Sequence, residues 1–345
     1  MSHAQIAVLL FCSVSALSAF LVWRAIPIGR QLAIVNRSGV PAPRIGGIAV
    51  AIAFWFGVAV SFALPINRFP IEVERIALIC LAGAAITLFM LLDDAVGLAP
   101  RTKLGIQIAV AAIMILPRLR NAFHGIAIDQ FNAPMFGTVT LALPVAVVVT
   151  IFWFVAMMNA INWIDGIDGL APTVTLVAAI VLFLHTYFWP RADPQFTISI
   201  LPLVLGAAVL GFLPFNWFPA RITLGDAGSN FLGLTIAAIS IVGGAKLATA
   251  LLVLGLPLLD LVWVTVARAA RGQPIATGDK SHLHHRLLAR GWSVGRIVGF
   301  VGGVSLFFGV LSLLLPSKEA KLGAMLALAA VLLLTVGRPG FRSPN

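Results

Sequence analysis

Charge is what this chain has least of. Asp, Glu, Lys and Arg make up 10% of its 345 residues and hydrophobic residues 60%, whereas an ordinary soluble domain carries about 25% charged residues. So little charge cannot clothe a water-facing surface, which excludes a soluble globular protein. Cysteine is rarer still. Cys12 and Cys80 both fall inside apolar runs, where a thiol behaves as a small buried hydrophobe. A disulfide framework and a cysteine metal site are thereby excluded. Acidic residues number 12 against 23 basic ones, a formal charge of +11. The basic residues are scattered through short connections, which suits membrane orientation and anionic lipid headgroups and not nucleic acid. Nothing between the apolar runs is long enough for a soluble domain, so residues 1–345 read as a single membrane domain.

What the chain does have is apolar runs of about 15 to 23 residues from end to end, near the ~20 that a helix needs to cross the hydrocarbon core. They predict an all-α fold, a polytopic helical bundle of 10–11 transmembrane helices. The spans fall near 4–25, 46–64, 75–92, 104–117, 138–158, 169–189, 197–214, 229–244, 246–267, 297–315 and 322–337. The first run, "AQIAVLLFCSVSALSAFLVW", has no basic residue before it and no small-residue cleavage site after it, so it reads as a retained helix and not a signal peptide. With the N-terminus outside, the inner connections hold 15 basic residues and the outer ones 8. The positive-inside rule therefore expects an outside N-terminus and an inside C-terminus. No inverted duplication of the kind common in transporters is visible.

Given that orientation, five polar stretches share the cytoplasmic side: "PRIGG" at 43–47, "LLDDAVGLAPRTK" at 91–103, "NAINWIDGIDG" at 159–169, "FNWFPARITLGDAGSN" at 215–230 and "GDKSHLHHRL" at 278–287. Six of the 12 acidic residues lie there: Asp93, Asp94, Asp165, Asp168, Asp226 and Asp279. Carboxylates this dense beside a bilayer need a counter-charge, and a divalent cation with oxygen ligands is an economical one.

Each stretch also has a plainer explanation. Asp93 and Asp94 at a helix end suit a solvated cap. Asn159, Asn162, Asp165 and Asp168 suit an Asx-rich turn, although their i, i+3 repetition places them on one helical face. "LGDAGSN" suits either a helix cap or a phosphate-binding turn. His282, His284 and His285 could bind zinc, but no cysteine is near and Lys280, Arg286 and Arg290 surround them, which favours an anion. His124 and His185 fall on the opposite side and read as interface histidines. Asp260, in "LGLPLLDLVW", is an intramembrane carboxylate whose partner the sequence does not name.

These motifs carry a resemblance. "DDAVGLAPRTK" fits DDxxxLxxxxK, "NAINWIDGIDGL" fits NxxNxxDGxDGL, "GDAGSNFLG" fits GDxGSxxLG, and "PLLDLVWVTVARAARGQPIATGDKSHLHHRL" fits PxxD…RR…D..H.HHRL. Four ordered motifs over most of the chain resemble the polyprenyl-phosphate N-acetylhexosamine-1-phosphate transferases. HLHHRL in place of an HHHFE-like motif, and an eleventh span, resemble the O-antigen, common-antigen or teichoic-acid initiating branch that uses a UDP-N-acetylhexosamine such as UDP-GlcNAc. The peptidoglycan branch, which transfers phospho-N-acetylmuramoyl-pentapeptide, is the alternative. "RIGG" and the "ARAAR" found where the pattern has paired arginines are departures.

The resemblance implies transfer of hexosamine 1-phosphate to undecaprenyl phosphate with release of UMP, at a cytoplasmic site in a bacterial inner membrane. It implies Mg²⁺, with Mn²⁺ as a substitute, held by Asp226 and Asn162. Asp93 would hold or deprotonate the acceptor phosphate with Asp94 in support, and Lys103 would contact a phosphate. Asn159, Asp165, Asp168 and Asn216 would hold the nucleotide and sugar, and His282, His284, His285 and Arg286 the diphosphate or sugar. Partners implied are the two substrates and membrane lipid, with a second copy of the chain left open and no nucleic acid. A cation or lipid transporter is the reading from another class, although transporters place binding groups near the midplane, where only Asp260 lies.

Overall fold

The structure, a computed structural model, describes residues 1–32, 42–133, 137–188, 195–243, 246–272, 282–315 and 317–336. Asp279, Lys280 and Ser281 of the histidine motif lie outside the described residues, as do Arg37, Arg191, Arg338 and Arg342 of the basic split.

Among the described residues the chain is almost wholly helical. In order come α1 (His3–Gln31), α2 (Gly46–Phe62), α3 (Pro70–Val96), α4 (Pro100–Ile115), a short 3-10 turn (Leu116–Leu119), the antiparallel hairpin β1 (Gln130–Ala133) and β2 (Gly137–Thr140), and α5 (Leu143–Ile164). Then follow α6 (Leu170–Phe188), α7 (Phe196–Asn216), α8 (Gly225–Val242), α9 (Leu247–Val253), α10 (Gly255–Ala270), α11 (Leu283–Ala289), α12 (Val294–Leu314) and α13 (Lys318–Val336). Eight of these are long and apolar enough to cross a membrane, and α9 with α10 makes a ninth if the bent pair is one span. This is the polytopic membrane bundle that the apolar runs predict.

Each expected span has a helical counterpart, but 246–267 is not one straight helix. α9 and α10 meet at 77°. Leu254 leaves helical geometry, with φ −94° and ψ 11°, and Pro257 lacks the N–H that would bond the carbonyl four residues back. Its ring crowds that carbonyl as well.

α8 is the hub. α3 and α5 pack along it, α2 crosses it, and its side chains are buried nearly all round. Small residues allow the closest approach: a Cβ built on Gly47 would lie 2.1 Å from the Cα of Gly228, so α2 and α8 touch backbone to backbone. The Gly46 and Gly47 N–H groups, orphans at the start of α2, donate to the carbonyls of Thr223 and Leu224 at 3.0 Å each. The helix ends carrying the polar motifs thus meet at one end of the bundle. His3 stacks on Phe196 at the other, so the chain starts at the end away from those motifs.

Candidate active site

Five charged side chains from four helix ends form a closed lattice. Gly97 terminates α3 with φ +75°, a left-handed conformation that costs an L side chain free energy, and turns the chain into α4 within four residues. That turn brings the Lys103 Nζ to 2.5 Å from Asp93. The same ammonium lies 2.7 Å from Asp226 Oδ2 at the start of α8. On the other oxygen of Asp226, Arg44 donates at 2.9 Å, and it reaches Asp94 at the same distance. Asp93 also accepts from the Leu98 N–H at 2.6 Å.

Asp94 is fully buried and accepts from the N–H groups of Asp226 and Ala227, at 3.0 Å each. It therefore caps α8 from a different helix. Gly225 permits this approach: its φ is +71°, and a Cβ there would lie 2.3 Å from the Arg44 carbonyl and 2.6 Å from Asp94 Oδ2.

Beneath the lattice a ladder of amides fixes the helices. Asn230 donates to the Asp226 carbonyl at 2.8 Å, Gln107 donates to Asn230 at 2.7 Å, and Asn159 donates to Gln107 at 2.8 Å. Asn162 donates its amide N–H to Ser229 at 2.8 Å, and Ser229 donates in turn to the Gly225 carbonyl. Asp165 follows the end of α5. Burial and the charges of Asp226, Asp94 and Asp168 push its carboxyl well above the usual carboxylate range, with Arg44 opposing them. Asp168 accepts from the Ala220 N–H at 2.9 Å. Asn216 is buried with both ends of its amide committed to backbone, accepting from Gly169 and donating to Ile222 at 2.9 Å each. The structure thus places Asp168 and Asn216 as the pins between the 165–169 and 216–222 loops.

The histidine motif joins this site through Asp260. His282 Nδ1 lies 2.9 Å from Asp260 Oδ2, while the Leu283 N–H and the Arg286 guanidinium donate to Oδ1 at 3.0 and 3.2 Å. One intramembrane carboxylate therefore holds the loop at three points. His282 packs against Trp163 with ring centroids 4.6 Å apart, and the three histidine rings stand in sequence, His282 to His284 to His285, at 5.9 and 4.3 Å. A Cβ on Gly166 would lie 3.0 Å from His284 Nε2, so the "DGIDG" turn and the histidine loop are in contact. Burial, then the neighbouring His285, His282 and Arg286 side chains, push the His284 imidazole down to about 3. His284 is therefore neutral at pH 7. Among the described residues the His284 Nε2 is buried with no hydrogen-bond partner.

Sequence reasoning missed Arg44 as a member of the site, together with Gln107, Ser229 and Asn230. A signal existed for two of them, since Gln107 and Asn230 stand four residues after Lys103 and Asp226, on the same helical faces.

Among the described residues no group of three or more His, Cys, Asp and Glu side chains is arranged to hold a metal. The Asp226 carboxylate, the Asp93 carboxylate and the Asn162 amide oxygen, whose own nitrogen is already committed to Ser229, are nonetheless hard oxygen donors of the kind Mg²⁺ takes.

Comparison with known proteins agrees with the motifs. The pattern of glycosyl transferase family 4 matches residues 76–244. A Bacillus subtilis protein named a probable undecaprenyl-phosphate N-acetylglucosaminyl 1-phosphate transferase is 33% identical over 276 residues, 76% of this chain and 72% of that one. The decaprenyl-phosphate N-acetylglucosaminephosphotransferase of Mycobacterium leprae is 32% identical, over 75% of this chain and 69% of its own. A phospho-N-acetylmuramoyl-pentapeptide-transferase from Clostridium kluyveri is 30% identical, over 74% and 79%. With the motifs, the membrane bundle and relatives of this similarity in agreement, the chain belongs to glycosyl transferase family 4, among the polyprenyl-phosphate N-acetylhexosamine-1-phosphate transferases.

Proposed function

We propose that the protein transfers N-acetylhexosamine 1-phosphate from a UDP-N-acetylhexosamine, UDP-GlcNAc first among them, to undecaprenyl phosphate, and so initiates a cell-surface polysaccharide. The observation that carries this reading is the lattice of Arg44 and Lys103 between Asp93, Asp94 and Asp226. Two anions, a lipid phosphate and a sugar-nucleotide diphosphate, must meet for the transfer, and their repulsion falls only where cations are held ready. Arg44 and Lys103 supply two such charges on rigid helix ends.

Asp226 with Asn162 would hold Mg²⁺, which when bound supplies further positive charge to phosphate oxygens. Asp93 is placed to orient the acceptor phosphate or take its proton, with Lys103 beside it. The phosphate's second pKa of about 6 makes that removal easy, so positioning is the larger task. Asp165 would hold nucleotide and sugar, and Arg286, fixed by Asp260, would offer a guanidinium to the diphosphate. The names of the Bacillus and mycobacterial relatives support a polyprenyl-phosphate acceptor and an N-acetylglucosamine 1-phosphate group. The transporter reading is further weakened, because Asp260, the one deep carboxylate it could use, is engaged by three donors of the protein's own.

We place the protein in the bacterial cytoplasmic membrane with this site facing the cytoplasm, on the split of basic residues. The decisive experiment mixes purified protein with undecaprenyl phosphate, Mg²⁺ and a panel of UDP-sugars, and scores UMP release. Release with a UDP-N-acetylhexosamine is expected. Release with UDP-N-acetylmuramoyl-pentapeptide alone would assign the protein to the peptidoglycan branch, and release with no donor in the panel would sink the reading.

A further inference from the structure

One turn beneath the carboxylate lattice, three helices are tied together by amides. Gln107 stands four residues after Lys103 on α4, Asn230 four after Asp226 on α8, and Asn159 three before Asn162 on α5. Each therefore shares a helical face with a residue of the site. Gln107 and Asn230 are buried. The Gln107 amide donates to Asn230 Oδ1 at 2.7 Å and accepts from the Asn159 amide N–H at 2.8 Å, so one side chain joins α4 to both α8 and α5.

The direction of these bonds is fixed from one end. A backbone carbonyl can only accept, so the Asp226 carbonyl requires the N–H side of Asn230, which donates to it at 2.8 Å. That leaves the Asn230 oxygen to Gln107, which must turn its own N–H there and its oxygen towards Asn159. Asn159 answers with its N–H, which also reaches the Val155 carbonyl at 2.8 Å. Turning the Gln107 amide over would set oxygen against oxygen on one side and N–H against N–H on the other, at a place shut off from water. Apolar contacts carry no such direction. The ladder accordingly accepts one register of the three helices.

α4 packs on α3 and α5, and two polar links run from it to α8: Lys103 to Asp226 at 2.7 Å, and Gln107 to Asn230. The first is an ion pair between groups that the substrates themselves engage. An arriving phosphate competes for the lysine and a divalent ion for the carboxylate, so this pair is the one to loosen. The second link is uncharged and lies a turn deeper. We propose that Gln107 is a positioning residue of the transfer, holding Lys103 and Asp226 in register through Asn230 while their ion pair gives way to substrate phosphate; this rests on the reaction proposed above.

The test uses the full chain in detergent with undecaprenyl phosphate, Mg²⁺ and the UDP-sugar from which the parent releases UMP, at a temperature well below the Tm of every variant. Gln107→Met keeps the bulk of the side chain and removes both bonds. Its kcat should fall about tenfold or more, as a small misplacement of reacting groups produces, while KM for the UDP-sugar stays within about twofold. Thr235→Val is the control, since it removes a buried α8 hydroxyl that bonds the Phe231 carbonyl and not the ladder. Its kcat should be unchanged. An equal loss of kcat in Thr235→Val would show that any change within α8 has this effect, and would overturn the role of Gln107. A lowered Tm with unchanged kcat in Gln107→Met would mark a merely structural amide and overturn it as well. A raised KM with unchanged kcat would tie Gln107 to nucleotide binding through Asn159, with the same result. If Gln107→Met is not recovered folded, Gln107→Asn, one methylene too short for both bonds, must show the same split between kcat and KM, and its failure to do so counts equally against the proposal. If the parent releases UMP from no donor, the proposed reaction falls and the role of Gln107 falls with it.

Discussion

Asp94 caps the helix that carries Asp226: both oxygens of a buried carboxylate on α3 accept from the first N–H groups of α8, at 3.0 Å each, while Arg44, just before α2, ties the same two residues together. The pair differs in role. Asp94 accepts from two backbone N–H groups besides Arg44, whereas Asp226 keeps some exposure and meets side chains, the cations Arg44 and Lys103 and the Asp93 carboxyl. Asp94 is accordingly a positioning residue that sets where the Asp226 carboxylate sits.

Asp94→Ala should therefore harm both fold and activity. It removes a cap and leaves Arg44 without one of its two carboxylates, a loss of about 1–3 kcal/mol. A lowered Tm in detergent together with lowered UMP release is expected. Unchanged thermal stability would show that the cap contributes nothing.

Asp226→Asn should part those two effects. The amide keeps an oxygen for Lys103 or Arg44 but loses the charge that a divalent ion needs, so the variant should fold and lose turnover at every Mg²⁺ concentration. Near-normal turnover across a Mg²⁺ titration would refute its metal role.

Much of this site was legible in the sequence because polar residues are costly beside a bilayer, so each cluster in an apolar chain advertised itself. The four motifs and the helical bundle follow from that contrast. What stayed hidden were relations between distant segments. Asp260 and His282 are 22 residues apart, one within α10 and the other at the start of α11, and periodicity shows neither their meeting nor the 77° bend from which α10 sets out. Arg44 stood in one of the five polar stretches, but nothing in the sequence paired it with Asp94 and Asp226. Only the contact of Gly47 with Gly228 brings it over α8.

Asp260→Asn tests the hidden relation. The variant keeps an acceptor for the Leu283 N–H but weakens the hold on His282 and Arg286, so the loop should loosen without unfolding the bundle. KM for the UDP-sugar should rise and kcat/KM fall about tenfold to a hundredfold, as expected for a misplaced charge-assisted contact. A change in kcat alone would argue that the loop acts on the chemical step and not on binding.

Sidedness can be read directly. Ala95 sits at the lattice end and Ala122 beyond the far end of α4, and both are exposed. In a background lacking Cys12 and Cys80, Ala95→Cys should react with an impermeant thiol reagent only from the cytoplasmic side and Ala122→Cys only from outside. The reverse pattern would invert the topology and place the substrates on the wrong side.

The last prediction concerns Asp165, where stability and activity should move in opposite directions. In the folded protein its carboxyl is held above the usual carboxylate range, first by burial and then by Asp226. Between the unfolded pKa of about 3.9 and that raised value, the folded state binds more protons than the unfolded one. Stability therefore falls as pH rises through this window and stays lower above it. Asparagine cannot ionise and escapes that penalty. Measured with chelator present, Asp165→Asn should have a higher Tm than the parent at pH 8, the gap closing as pH drops towards 4. If the ionised carboxylate holds nucleotide or sugar, the same variant should lose about tenfold to a hundredfold in kcat/KM, and the parent's activity should climb with pH across the window. An ion held at a cost to the fold is what a working site requires, whereas a merely structural carboxylate would have been relieved of that cost by a partner. A variant that is less stable at pH 8, or one that keeps full activity, would remove Asp165 from the site.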